Sequence, residues 1–223
     1  MSTNGAIAFD VYGTLVDPLG MAAHLRTFVG DRADELAAQW RAKQLEYTFR
    51  RTAMGVYENF DVCTDQALRF VLDNARIALS PSEQQELVDR YQQLEAYPDA
   101  AAGLTQLKAK GLALVAFSNG VAATLHHLLD HAGLMNLLQA IISVDELKTF
   151  KPNPHVYAHL ANRLKRVKQE TWLISSNPFD VIGAKASGLK AAWIRRNPSA
   201  AFDPWGIEPD LIARDLVELA AKL

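Results

Sequence analysis

Three short apolar runs along the chain each end abruptly in polar, loop-forming residues. Ala6-Ile7-Ala8-Phe9 stops at Asp10 and is followed by Gly13; Leu112 to Phe117 stops at Ser118-Asn119-Gly120; Thr171-Trp172-Leu173-Ile174 stops at Ser175-Ser176-Asn177. Unbroken apolar runs of this length suit strands covered on both faces. Shorter runs at Ala140 to Ser143 and Ala191 to Ile194 continue the series. Between them the periodicity turns helical. Ala100 to Lys110 sets Leu104 and Leu107 on one face before Gly111, and Val121 to His131 is closed in the same way by Gly133. Alternating strand and helix predicts an α/β fold, a Rossmann-like parallel sheet core flanked by helices. Ligands of such sheets bind beyond the carboxyl ends of the strands, so Asp10, Ser118 and Ser175 are expected to converge.

From about Asp17 to Tyr97 the alternation stops. This stretch carries no convincing strand and is rich in Ala, Leu, Gln, Glu and Arg at helical spacing. Asp34 through Met54 is its longest helical signal, and Ser80-Pro81-Ser82-Glu83 reads as a helix N-terminus with proline in the first turn. Tyr97-Pro98-Asp99 returns the chain to the sheet. The predicted organisation is a core of residues 1–16 plus 98–223, with residues 17–97 forming an inserted all-helical cap subdomain.

Composition narrows the function. With 49% apolar residues, 223 residues can bury one core and a small accessory layer. Lys plus Arg number 23 against 25 Asp plus Glu, and no like-charged block forms a nucleic-acid arm or a membrane-binding stripe. Neither nucleic acid nor membrane is an expected partner. Cys63 is the lone cysteine, which excludes an intramolecular disulfide and a Cys-rich metal site and suits a reducing cytoplasm. Met1 to Gly5 shows no basic leader, and no run of ~18 apolar residues could span a bilayer. The six histidines show no ligand spacing joined to acids, and Trp193 and Trp205 read as packing.

Phe9-Asp10-Val11-Tyr12-Gly13-Thr14-Leu15, Ser118-Asn119-Gly120, Lys151-Pro152 and Ser175-Ser176-Asn177-Pro178-Phe179-Asp180 together resemble the four motifs of the haloacid dehalogenase superfamily, in order and across essentially the whole chain. Any one motif is weak, because an Asp after a strand also caps helices. Most members are phosphatases, so membership alone does not fix the reaction. Two departures point elsewhere. Where phosphatases place a second Asp to protonate the leaving alcohol, this chain has Tyr12, and where they offer magnesium a carboxylate it has Ser176. Both features resemble the L-2-haloacid dehalogenase family, as do Trp40 to Thr48 and Tyr57 to Phe60 within the insert.

The resemblance implies an enzyme without metal or other cofactor, whose partners are a small 2-halocarboxylic acid, water and halide, with a homodimer expected. It implies that Asp10 attacks C2 and forms an ester, that Thr14 holds Asp10, and that Arg41, Asn119 and Phe179 cradle the halide. Ser118 and backbone N–H groups near Tyr12 and Asn119 take the substrate carboxylate. Asp180 activates the hydrolytic water; Lys151 relieves repulsion between the two acids, with Ser175 and Asn177 fixing its ammonium and Tyr157 supporting the network. Leu45, Phe60 and Tyr12 form an apolar wall. Ala42 replaces an expected Gln and leaves the pocket's size open. From residue type alone, Arg41, Ser118, Tyr157 and the wall residues equally suit ordinary helix, cap and core positions. Competing readings are C–N ring opening of a small cyclic amino acid such as azetidine-2-carboxylate, a phosphatase, or a binding protein without catalysis.

Overall fold

The structure, a computed structural model, describes residues 5–223. The apolar runs become strands β1 (Ala6–Phe9), β2 (Ala113–Ser118), β3 (Ala140–Ser143), β4 (Trp172–Ser175) and β5 (Lys190–Ile194). They form one wholly parallel sheet in the order β3-β2-β1-β4-β5-β6, where β6 is Leu211–Ala213. The chain runs outward from β1 through β2 to β3, then crosses back to β4 and runs outward the other way. The reversal falls between β1 and β4, and that crevice is where a doubly wound sheet binds its ligand. Phe9 pairs with both Ala116 and Ile174, so Asp10 and the Ser118 and Ser175 termini emerge at one end of the sheet.

Successive residues of β1 point to opposite faces, Ile7 and Phe9 into one apolar cluster and Ala8 into the other. The first cluster includes Leu104 of α5 (Ala100–Ala109), Leu125 of α6 (Ala122–His131) and Leu216 of α9 (Leu216–Lys222). The second holds Val156 and Leu160 of α7 (Pro154–Leu164) and Val181 and Ala184 of α8 (Pro178–Ala186). Two details depart from the apolar pattern. β2 and β4 each extend through the serine at their end, because the neighbouring strands continue the ladder that far. β6 and α9 carry too short a signal: three residues at the sheet edge with Ile212 exposed, then seven of helix.

Between β1 and α5 the described chain forms α1 (Met21–Val29), α2 (Ala33–Met54), α3 (Phe60–Ala75) and α4 (Pro81–Tyr91), and no ladder strand. Ser80 and Glu83 make a reciprocal capping box at the start of α4. Leu36, Phe60 and Leu68 are completely buried between these helices and the core, each contributing roughly 1.5–3 kcal/mol. Trp40 is buried too, its indole N–H donating to Thr64 O at 2.8 Å. The two segments that join this insert to the sheet lie side by side: Asp17 N donates to Glu95 O (3.0 Å) and Tyr97 N to Leu15 O (2.9 Å).

Candidate active site

The Asp10 N–H donates to Ile174 O at 2.9 Å, extending the β1–β4 ladder by one residue and fixing the direction of its side chain. Gly13 then adopts a φ of +90°, a conformation that side-chain-bearing residues rarely take, and the chain doubles back. That turn brings Thr14 Oγ1 to 3.0 Å from Asp10 Oδ2. Two groups from the end of β4 reach the same oxygen, Asn177 Nδ2 at 2.7 Å and Ser175 Oγ at 3.3 Å. Oδ2 therefore accepts from three donors, whereas Oδ1 takes one bond, from Lys151 Nζ at 3.1 Å.

Lys151 is only 1% exposed. Its three ammonium protons are all used: Asp10 Oδ1, Asp180 Oδ2 at 2.8 Å, and Phe117 O at 2.8 Å. This corrects one expectation. Ser175 and Asn177 hold the Asp10 carboxylate and not the ammonium; the third partner of Lys151 is the main-chain carbonyl that precedes Ser118, available because the last residues of β2 lie next to β1.

Asp180 is completely buried at the start of α8, and Tyr157 Oη donates to its Oδ1 at 2.8 Å. Burial pushes its carboxyl above the usual carboxylate range; Lys151 pulls it down, and the nearby Asp10 charge pushes it up again. Burial and the Asp180 charge hold the Tyr157 hydroxyl well above the ordinary phenol range, so it stays a donor. Gly183 makes that contact possible, since a Cβ there would overlap the Tyr157 ring and hydroxyl.

A cavity opens beside Asp10, lined by Tyr12, Arg41, Leu45, Phe60, Ser118, Asn119, Lys151, Asn177 and Phe179. Thr14, Ser175, Tyr157 and Asp180 stand behind it. Its volume is only about 10 Å³, the space of roughly one water. Arg41 and Leu45 come from one face of α2, and Phe49, one turn further, meets Phe179 edge-on at 5.1 Å between ring centres. The Arg41 guanidinium donates to Gln44 Oε1 (2.7 Å) and Tyr12 O (3.2 Å). Asn119 Oδ1 accepts from Lys151 N (2.9 Å), which leaves its amide protons for the cavity. Ser118 both lines the cavity and accepts from Gly120 N at 3.2 Å. Tyr12 and Phe60 rings lie 5.0 Å apart in the wall.

Ala42 is exposed on α2 and does not border the cavity, so it leaves the pocket's size unchanged. Trp193 packs as expected, but Trp205 is 72% exposed. Gln44, Phe49, Gly183 and the Phe117 carbonyl were not foreseen. Helical spacing from Arg41 offered a signal for Gln44 and Phe49; the carbonyl leaves no trace in residue type. Cavity size would mislead here. A cavity of about 420 Å³, far roomier than the one beside Asp10, lies on the insert among Tyr47, Arg50, Arg51, Met54 and Gln66, with no nucleophile.

Fold and site together define a Rossmann-like protein that presents a buried carboxylate at the C-terminal end of a central strand. A family model for haloacid dehalogenase-like hydrolases matches residues 5–188, and the chain belongs to that family. Among its relatives, (S)-2-haloacid dehalogenase 1 of Pseudomonas sp. (strain CBS-3) is 39% identical over 86% of this chain and 84% of its own. The (S)-2-haloacid dehalogenase of Pseudomonas fluorescens is 34% identical over 97% and 94%. The solved structure of L-2-haloacid dehalogenase from Xanthobacter autotrophicus with chloropropionic acid covalently bound superposes with a TM-score of 0.90 at 31% identity, covering 98% of both chains.

Proposed function

We propose that the protein is an (S)-2-haloacid dehalogenase, hydrolysing small L-2-haloalkanoic acids to (R)-2-hydroxy acids and halide through an ester on Asp10, with residues 17–97 acting as a cap over a core of residues 1–16 and 98–223. The observation that carries this reading is the unequal surroundings of the two Asp10 oxygens. Oδ1, with one hydrogen bond, is the oxygen with lone pairs to spare, and it attacks C2 as the C2–halogen bond breaks and the halide leaves on the opposite side. Arg41 and the amide protons of Asn119 meet the departing anion, with the Phe179 ring beside it. Ser118 binds the substrate carboxylate.

In the second step water attacks the Cγ of the ester and gives one proton to Asp180; the Cγ–Oδ1 bond then breaks, the departing alkoxide takes that proton from Asp180, and the water's other proton is released to solvent as Asp10 returns to its carboxylate. Oδ2 carries the negative charge of the tetrahedral intermediate. Thr14, Ser175 and Asn177 are already aimed at it, so little reorganisation is needed as charge develops. Lys151 lets two carboxylates share one dry pocket.

A magnesium ion does not fit this donor set. Both carboxylates are hydrogen-bonded to Lys151, and Ser176 Oγ donates to Gly13 O instead of offering a ligand. Tyr12, in place of a second acid, agrees with a leaving group that departs as a stable anion. The reading extends to a homodimer, supported by exposed Met54, Val56 and Phe70 on the insert, and to a cytoplasmic location, supported by the lone buried thiol of Cys63.

The test is incubation with L- and D-2-chloropropionate in chelator, following chloride, with single turnover in ¹⁸O-water. Chloride from the L-acid alone and label in Asp10 are the expected results; release from neither acid rules the reading out.

A further inference from the structure

We infer that Arg196 is a positioning residue that clamps the joint between the helical insert and the sheet, and so sets how firmly Arg41 and Leu45 are held over Asp10. The inference rests on the reaction proposed above. Its starting point is the pair of crossing segments, which are the insert's two covalent connections to the sheet. Arg196, just beyond β5, reaches both. Its Nη2 donates to Thr14 O at 2.5 Å, at the outgoing crossing, and its Nη1 donates to Asp99 Oδ1 at 2.8 Å, just past the returning one. The guanidinium carbon lies over the Tyr97 ring, 3.7 Å from its centre, and the Tyr97 hydroxyl donates to Asp17 at 3.1 Å.

The clamp is anchored from outside the joint. Asp99 Oδ2 also accepts from Leu216 N at 2.8 Å, at the start of α9, which packs on α5. Arg196 is largely buried, and its Nε has no hydrogen-bond partner, so Asp99, Thr14 and the Tyr97 face are what fix the group. Only a planar fork can meet two acceptors and stack on a ring at once; a lysine ammonium cannot.

The cavity over Asp10 has room for about one water, so a substrate fits only after the insert shifts outward slightly while Arg41 and Leu45 still face Asp10. A weaker clamp lowers the population of the arrangement in which Arg41 and Leu45 face the substrate. When substrate binds productively only to that form, apparent affinity falls with its population, while saturating substrate restores it. The predicted signature is a raised KM with kcat preserved.

The experiment compares Arg196→Lys, Arg196→Met and Asp99→Asn with the unaltered enzyme, measuring kcat and KM for L-2-chloropropionate, thermal stability, and hydrogen exchange at the Asp17 and Tyr97 amides. Expected are a KM raised about tenfold with kcat within about twofold and faster exchange at both amides. Asp99→Asn reproduces this from the other side of the clamp and serves where an Arg196 variant fails to fold. A fall in kcat at unchanged KM, or a lower melting temperature with KM and exchange unaltered, overturns the inference. If the unaltered enzyme releases no chloride, the reaction is refuted while the exchange measurement still decides the clamp.

Discussion

The hydroxyl of Tyr157 donates to Oδ1 of Asp180, the oxygen that Lys151 leaves free. A buried carboxylate whose pKa is raised by desolvation is thereby partly restored toward its ionised form by a neutral donor. Tyr157→Phe removes that donor, so Asp180 rises further and the acid limb of the kcat profile moves to higher pH. A hydrogen bond to a charged group is worth roughly 1.5–3 kcal/mol, enough for the displacement to be resolved. Chloride release from pH 4 to 10 measures it.

Gly183→Ala should reproduce the same displacement without touching a hydrogen-bonding group. The added methyl needs the space of the Tyr157 ring, and overpacking of this kind costs about 1–3 kcal/mol. Urea unfolding reads the lost stability and the pH profile reads the lost contact. An unmoved acid limb would show that Tyr157 keeps its bond by another route.

Asn177 Nδ2 is the nearest of the three donors on Asp10 Oδ2. Asn177→Ala should lower kcat by about 10²–10³ through the hydrolytic step, as loss of an oxyanion donor does. The ester should then accumulate, and mass spectrometry of acid-quenched enzyme should show the added carboxyalkyl mass on Asp10 during turnover.

Lys151→Met leaves Asp180 buried without its cation. Breaking a buried pair costs about 3–5 kcal/mol, and here the sign follows from a carboxyl raised above its unfolded value. Its penalty is full above the raised folded pKa and fades as pH falls toward the ordinary carboxylate range. The variant should be inactive and most destabilised near neutral pH, approaching the stability of the unaltered protein in acid. Denaturant titrations at several pH values check this.

How much of this was legible in the sequence depended on how residues announce themselves. Asp10, Ser118 and Ser175 could be placed because each terminates an apolar run, and a parallel sheet gathers such ends together. That β1 to β5 form one parallel sheet followed from the same alternation. What the pattern did not carry were contacts made by unremarked chemistry. The Phe117 carbonyl belongs to a residue that reads as plain core. Arg196 sits in a pair of loop arginines that look like solvated charge. Ser175 and Asn177 were assigned to the right pocket and the wrong neighbour, because spacing gives proximity to a site and not the oxygen a donor will choose. β6 escaped notice because a three-residue edge strand buried on one side has hardly any period to read.

The positive charge between Asp10 and Asp180 is a side chain, synthesised with the polypeptide and stoichiometric in every folded molecule. It cannot be scavenged by a competing ligand, displaced by a commoner ion or lost on dilution. On the reaction proposed above, that charge is in place as soon as the chain has folded.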